Sequence, residues 1–302
     1  PSTLPIPTGK IAFPIYDPAR RTYDVYTTRT DGSNRRLVST DASQPELSPS
    51  GTRIAFRSWN DSTRGIVVMN APDGNATTAA EHAIAMMMSL TRNIPQATAR
   101  LKAGGWDKKK FQGREVTGKT LGIIGIGRIG AIVANRAQGL HMKVIAYDPH
   151  MPKDLVDKLG VELVSFDDLC KRADYISVHV PLTKETSKLV SVKAFQMMKK
   201  DAMFIDCARG GVVDEEALYE ALKNKEIAGA ALDVFEKEPT SLETTPLLGL
   251  DNFICTPHLG ASTAEAQENV AVAIAEQMSD YLKNGTITNA VNVPSVSAEV
   301  LA

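Results

Sequence analysis

Three glycines in the spacing Gly125-x-Gly127-x-x-Gly130 follow an apolar run, Leu121-Gly122-Ile123-Ile124, and open a helical stretch from Arg128 to Leu140. Strand, turn and helix in that order make a phosphate-binding device. Gly125 permits the tight turn, Gly127 lets the backbone approach a pyrophosphate, and Gly130 allows close helix–strand packing. The helix N-terminus at Arg128 and Ile129 adds free N–H donors and the positive end of its dipole. A second strand, Lys143 to Tyr147, runs into Asp148, 18 residues after Gly130. That carboxylate can accept from both ribose hydroxyls and would repel a 2′-phosphate, so the pattern predicts NAD rather than NADP.

Further along, apolar runs end at polar residues. Tyr175 to Val180 contains His179 and leads to Pro181, and Ala202 to Asp206 leads to Cys207-Ala208-Arg209-Gly210. Gly229 to Leu232 gives Asp233 and then Glu238, and Phe253 to Thr256 gives Pro257-His258-Leu259-Gly260. Singly, each has a structural explanation: a surface ion pair for Arg209, a helix N-terminus for Glu238, a loop position for His258. Cys207 has no separate base beside it and reads as a small buried spacer rather than a nucleophile. Together the residues fit hydride chemistry. A histidine suits removal of a hydroxyl proton near neutral pH. A carboxylate beside it orients and favours the imidazolium. An arginine can hold a substrate carboxylate bidentately and polarise the adjacent carbonyl.

The elements that must carry these groups alternate strand and helix, so the fold class predicted is α/β, a doubly wound parallel sheet (Rossmann-like) with a smaller N-terminal part of β character. Thr78-x-x-Glu81 is expected to cap an apolar helix from Ala79 to Leu90, whose Met86-Met87-Met88 reads as core. Lys108-Lys109-Lys110 reads as a solvated loop. The 302 residues suffice for about two domains. A net charge of -1 offers no basic excess for nucleic acid. Three cysteines are too few and scattered for a disulfide scaffold, and no metal cluster is predicted. No run approaches a membrane span and the first residues lack signal-peptide character, so the expectation is a cytoplasmic protein with no membrane partner.

From about Gly65 to Ser297 the chain resembles the D-isomer-specific 2-hydroxyacid dehydrogenases. The resemblance rests on Asn70-Ala71-Pro72, the Gly125–Gly130 turn, Cys207-Ala208-Arg209-Gly210, Asp233-Val234-Phe235 and Pro257-His258-Leu259-Gly260-Ala261-Ser262-Thr263. Thr288-Asn289-Ala290-Val291-Asn292-Val293-Pro294 is similar to the phosphoglycerate branch. The resemblance implies oxidation of a D-2-hydroxy acid, D-3-phosphoglycerate leading, to the 2-oxo acid, with Arg209, Glu238 and His258 catalytic. It implies that Asp233 meets the nicotinamide carboxamide and that His179, Pro181, Thr186, Cys207, Ala208 and Gly260 line the cofactor cleft. It also implies a homodimer, with the helix around Thr78 to Arg92 packing across a two-fold axis.

Residues 1–65 differ. They carry nine basic and six acidic residues, net +3, against net -4 for the rest. Ile11-Ala12-Phe13 recurs as Ile54-Ala55-Phe56, and Asp31-Gly32-Ser33-Asn34 recurs as Asp73-Gly74-Asn75, at offsets of 43 and 42. With Ser48-Pro49-Ser50-Gly51 these motifs resemble the TolB-type β-propeller repeat, at blade spacing but for fewer than two blades. Chance similarity between two β-hairpins is the competing explanation. The division expected is therefore a β-rich segment, 1–65, in place of the family's substrate domain. An NAD-binding domain with its crossover helix follows over 66–289, and a C-terminal return segment over 290–302. The family's substrate-carboxylate loop is not found. Two other readings stand beside the enzyme: a non-catalytic NAD-binding protein whose β segment recruits a partner, and a composite chain without a working substrate domain.

Overall fold

The computed structural model describes residues 10–17, 22–29, 36–39, 42–47, 53–58, 65–71, 74–284 and 286–291. Asp31-Gly32-Ser33-Asn34, Ser48-Pro49-Ser50-Gly51, Pro72-Asp73 and residues 292–302 lie outside them. The chain divides into two compact units, one of residues 1–75 with 261–302 and one of residues 76–260.

The first unit opens with strands β1 (Lys10–Asp17), β2 (Thr22–Arg29) and β3 (Arg36–Ser39), which form one antiparallel sheet in that order. Strands β4 (Ala42–Leu47), β5 (Arg53–Ser58) and β6 (Gly65–Asn70) form another. The Ile-Ala-Phe triplets at offset 43 take different places, Ile11–Phe13 on the edge strand β1 and Ile54–Phe56 on the central strand β5.

The second unit begins with helices α1 (Ala76–Thr91) and α2 (Ile94–Lys102). Alternation follows: β7 (Thr120–Ile124), α3 (Arg128–Gly139), β8 (Lys143–Tyr147), α4 (Lys153–Lys158), β9 (Glu162–Leu163), α5 (Phe166–Arg172) and β10 (Tyr175–Val178). It continues through α6 (Val192–Met197), β11 (Met203–Asp206), α7 (Glu215–Lys223), β12 (Gly229–Leu232) and β13 (Phe253–Cys255). Helix α8 (Ala264–Asn284) belongs to the first unit. The seven strands of the second unit pair in parallel in the order β13-β12-β11-β10-β7-β8-β9. The chain leaves β7 toward β8 and returns to β10 on its other side, so the order reverses at β7. Ligands bind outside the carboxyl ends of the strands at such a reversal.

Both faces of this sheet are buried, and for that reason its strands read as continuous apolar runs. Successive side chains go to opposite layers. Ile124, Phe204 and Leu232 pack with α5, α6 and α7, where Phe195 and Phe204 meet edge to face at 5.8 Å. Ile123, Ile205 and Ala231 pack with α1 and α3 through Met86, Met87, Leu90, Val133 and Ala137. The apolar face of α1 is thus core of its own chain.

One helix start differs from expectation. Helix α1 begins at Ala76, so Thr78 and Glu81 lie inside it rather than capping it. Ala76, the best helix former, lets the helix begin ahead of the hydroxyl in spite of the weaker Thr77 and Thr78, and Glu81 instead faces Arg136 at 3.6 Å. Lys108–Phe111 is a single exposed 3-10 turn. Among the described residues no helix is long and apolar enough to cross a membrane.

Candidate active site

Every residue singled out for chemistry lies at the carboxyl end of a strand of the parallel sheet, on the loop that follows it or, for Arg128, Ile129 and Gly130, in the first turn of α3. After β7 the backbone turns at Gly125 with φ 91°, where a side chain would be 2.8 Å from the His179 carbonyl. At Gly130 a side chain would collide with the Gly125 carbonyl, because the first turn of α3 packs directly onto the strand end. Gly127 is different. Its φ of -69° suits any residue and nothing lies within 4 Å of where a Cβ would be. The fold itself does not demand glycine there, whereas a phosphate group resting against the backbone at the start of α3 does. The residues present therefore fit a dinucleotide.

Asp148 follows β8 and braces this turn. Its Oδ2 accepts the Ile126 N–H at 3.0 Å, and Oδ1 accepts from His150 and Met151 at 2.9 and 3.2 Å. A carboxylate offers about four acceptor positions, so capacity for a ribose hydroxyl remains.

At the end of β10, His179 lies 2.8 Å from the Ser177 hydroxyl, and burial pulls its imidazole down to about 4. Thr186 closes the next loop by donating to the Pro181 carbonyl at 2.6 Å. After β11, Asp206 Oδ1 accepts the Ala208 N–H at 2.8 Å, and Cys207 is buried. Burial pushes the Cys207 thiol well up, with the charges of Asp233 and Asp206 adding to it, so it is an inert spacer. Arg209 is exposed and its Nη1 donates to the Ala208 carbonyl at 2.6 Å. Its guanidinium does not join the Glu238–His258 pair. The two loops nevertheless touch, since Gly210 lies so close to the Phe235 carbonyl that no side chain fits.

That pair is direct. His258 Nδ1 lies 2.8 Å from Glu238 Oε2, while Glu238 Oε1 accepts the Phe235 N–H at 3.0 Å. The backbone at His258 is left-handed, φ 57°. It is held there by the His258 N–H donating to the Asp233 carbonyl at 2.9 Å. The Asp233 carboxylate is fully buried beneath the same loop. Its Oδ1 accepts from the Thr256 hydroxyl at 2.5 Å and the Leu259 N–H at 2.7 Å, and Oδ2 accepts the Gly260 N–H at 2.7 Å. Burial pulls this carboxyl up, but bonds from His82, Thr256, Leu259 and Gly260 outweigh it and hold the group below the ordinary carboxylate range. Asp233 thus fixes the loop from which His258 projects.

A glycine turn stands at the sheet reversal and a Glu–His pair on the loops after β12 and β13, and comparison with known proteins decides the family. Residues 84–260 match the family described as D-isomer specific 2-hydroxyacid dehydrogenase, NAD binding domain. The chain belongs to this family. It is 51% identical over 239 residues to D-3-phosphoglycerate dehydrogenase of Methanocaldococcus jannaschii, covering 79% of this chain and 45% of that protein. It is 45% identical over 241 residues to D-3-phosphoglycerate dehydrogenase of Bacillus subtilis, covering 79% and 45%. The chain therefore spans under half the length of these relatives. Among solved structures, D-2-hydroxyisocaproate dehydrogenase superposes with a TM-score of 0.69 at 31% identity, covering 74% of this chain and 72% of the other. D-lactate dehydrogenase from Escherichia coli superposes with a TM-score of 0.68 at 34% identity, covering 74% and 71%. Family membership makes the glycine-turn domain an NAD-binding domain.

Within this NAD-binding domain, residues the motifs pass over also hold the site. His82 on α1 lies 2.9 Å from the Thr256 hydroxyl and 3.3 Å from Asp233 Oδ1, tying the helix to the His258 loop. Its signal in the sequence is one titratable ring on an otherwise apolar helix face. Asp206 is the other omission, a carboxyl that the strand pattern treats only as an end marker.

Proposed function

We propose that the chain is an NAD-dependent oxidoreductase that oxidises a D-2-hydroxy acid to the 2-oxo acid, with D-3-phosphoglycerate as leading substrate. The observation that carries this is the 2.8 Å contact of His258 Nδ1 with Glu238, which commits one ring nitrogen and leaves Nε2 for the substrate hydroxyl. His258 takes the hydroxyl proton at Nε2 as the C2–H bond breaks. Glu238 orients the ring and stabilises the imidazolium. Arg209 anchors the substrate carboxylate and polarises the developing carbonyl. In reduction of the 2-oxo acid, His258 returns the proton.

NAD, when bound, supplies the hydride acceptor. The backbone of Gly125, Gly127, Arg128, Ile129 and Gly130 would hold its pyrophosphate and Asp148 its ribose. The segments containing His179, Pro181, Thr186, Cys207, Ala208, Asp233 and Gly260 would line its cleft. In this reading residues 66–289 make the cofactor domain, 290–302 are a C-terminal return segment, and residues 1–65 stand in place of the family's substrate domain. The reading includes a cytoplasmic homodimer. Ile94, Leu101 and Trp106 stand exposed beside α1, Trp106 at 82%, and offer the apolar surface such a dimer would cover. Sedimentation at dilute concentration tests this part.

NADH titration followed by steady-state oxidation of D-3-phosphoglycerate tests the whole. Turnover that His258→Ala and Arg209→Ala abolish is the expected result. NADH binding at micromolar affinity without turnover would replace the enzyme with a non-catalytic NAD-binding protein, and absent NADH binding would mark a composite chain.

A further inference from the structure

Asp206 closes β11 with its side chain fully buried. Oδ1 accepts the Ala208 N–H at 2.8 Å and the Arg209 N–H also addresses the carboxyl, so this group pins the turn from which Arg209 projects. Oδ2 is buried and meets no hydrogen-bond partner among the described residues. On the neighbouring strand the Asp233 N–H donates to the Asp206 carbonyl at 2.9 Å, which brings a second carboxylate alongside. On the other side β10 sets Val178 in register with Asp206, and the half-buried His179 that follows is uncharged at neutral pH. The charged groups facing Asp206 are therefore Arg209 on its own turn and Asp233 directly after β12, and the Cys207 thiol feels both carboxylates.

A carboxylate with one bare oxygen in a buried site is costly, and the neutral acid avoids that cost. Burial pushes Asp206 up to about 7, opposed by the hydrogen bonds of Ala208 and Arg209 and by the guanidinium charge, and reinforced by Asp233. The group is poised so that a change at Arg209 tips it.

We infer that Asp206 is a positioning residue for Arg209 and that it takes up a proton when an anion docks on the Arg209 guanidinium. The inference rests on Arg209 as the substrate-carboxylate anchor. Free Arg209 favours the ionised form of Asp206. A docked carboxylate cancels that help and adds negative charge, leaving burial and Asp233 opposed only by the Ala208 and Arg209 N–H bonds. The proton passes from bulk water to the Asp206 carboxyl, with no bond made to the ligand. Because binding the anion and binding the proton favour each other, the anion binds more tightly as pH falls through neutrality.

The test follows Asp206 itself. Carboxyl-13C aspartate is incorporated into the full chain, and the signal missing from Asp206→Asn is titrated in the NADH complex with and without oxalate. The expected midpoint lies near neutrality without oxalate and rises by about half a unit with it, a rise that Arg209→Ala removes. Oxalate affinity in wild type should weaken about threefold from pH 6 to pH 8 by this linkage, and Asp206→Asn, folded across that range by circular dichroism, should lose that component. An Asp206 signal that titrates in the ordinary aspartate range, or that bound oxalate leaves unmoved, overturns the inference. Failure of oxalate to bind at all overturns the anchor reading of Arg209 and the inference with it. Loss of turnover with the oxalate shift intact overturns only the enzyme reading.

Discussion

The carboxylate of Glu238 lies 2.8 Å from Nδ1 of His258 through one oxygen and 3.0 Å from the Phe235 N–H through the other. The same side chain thus orients the base and closes the turn on which it rides. Glu238→Gln keeps the size and an acceptor but removes the charge that favours the imidazolium. We expect kcat to fall by about 10²-fold with NADH affinity unchanged, which is the scale of a general-base contribution. Stopped-flow hydride transfer beside a fluorescence titration of NADH reads both. A matched loss of NADH affinity would place Glu238 in the cofactor site instead.

Arg209 carries a different burden. It is exposed and hydrogen-bonded only to its own turn, so replacing it should leave the fold intact. Arg209→Lys keeps the charge and loses the planar fork, and should raise KM for the 2-oxo acid and lower kcat/KM by about 10²-fold. Steady-state kinetics at saturating NADH checks this. A lysine variant as active as wild type would show that only the charge matters.

The two glycines of the nucleotide turn separate fold from ligand. At Gly130 a methyl group meets the Gly125 carbonyl, so Gly130→Ala should destabilise by about 1–3 kcal/mol through overpacking. At Gly127 it meets nothing, so Gly127→Ala should change stability by under about 0.5 kcal/mol while weakening NADH binding. Urea unfolding of the apo chain and NADH titration distinguish them. Equal NADH affinity in Gly127→Ala and wild type would refute the phosphate assignment.

Half-buried His179 and fully buried Asp206 oppose one another across mildly acidic pH. His179 falls from 6.5 to about 4 on folding, so the fold favours its neutral form. Its contribution, on the order of 1–3 kcal/mol, is present above 6.5 and lost as pH falls toward 4. Asp206 rises from 3.8 to about 7, so the fold favours its acid form and stability is lost as pH climbs between those values. Between pH 4 and 6.5 the two slopes cancel in part. Asp206→Asn should therefore lose stability steeply on acidification, and His179→Gln should gain it. Unfolding midpoints at pH 4.5 and 6.5 read the signs, and parallel behaviour of the two variants would refute them.

Much of this was legible in the residues. Lys143–Tyr147 and Gly229–Leu232 occupy the expected strands because buried parallel strands are short apolar runs bounded by turns. The glycine turn is legible for the same local reason, its requirements falling within a few neighbouring residues. His82 and Asp206 are not. The contact of His82 with Thr256 joins residues 174 positions apart, and the bare oxygen of Asp206 arises only where β11 meets β12. The false cap at Thr78 failed through propensity: Ala76 continues a helix as readily as Thr78 starts one. The repeat between Lys10 and Asn70 is visible in the sequence because its offset is local, but no local pattern says what that segment serves.

The left-handed backbone at His258, φ 57°, costs on the order of 1 kcal/mol that glycine would not incur. Evolution toward heat resistance alone would therefore drift away from histidine at the position the proposed chemistry needs most. His258→Gly should melt later than wild type, without turnover. A directed-evolution campaign on this chain that selects only for survival of heating would enrich inert proteins, and one that alternates heat with an activity gate would have to find its gains elsewhere.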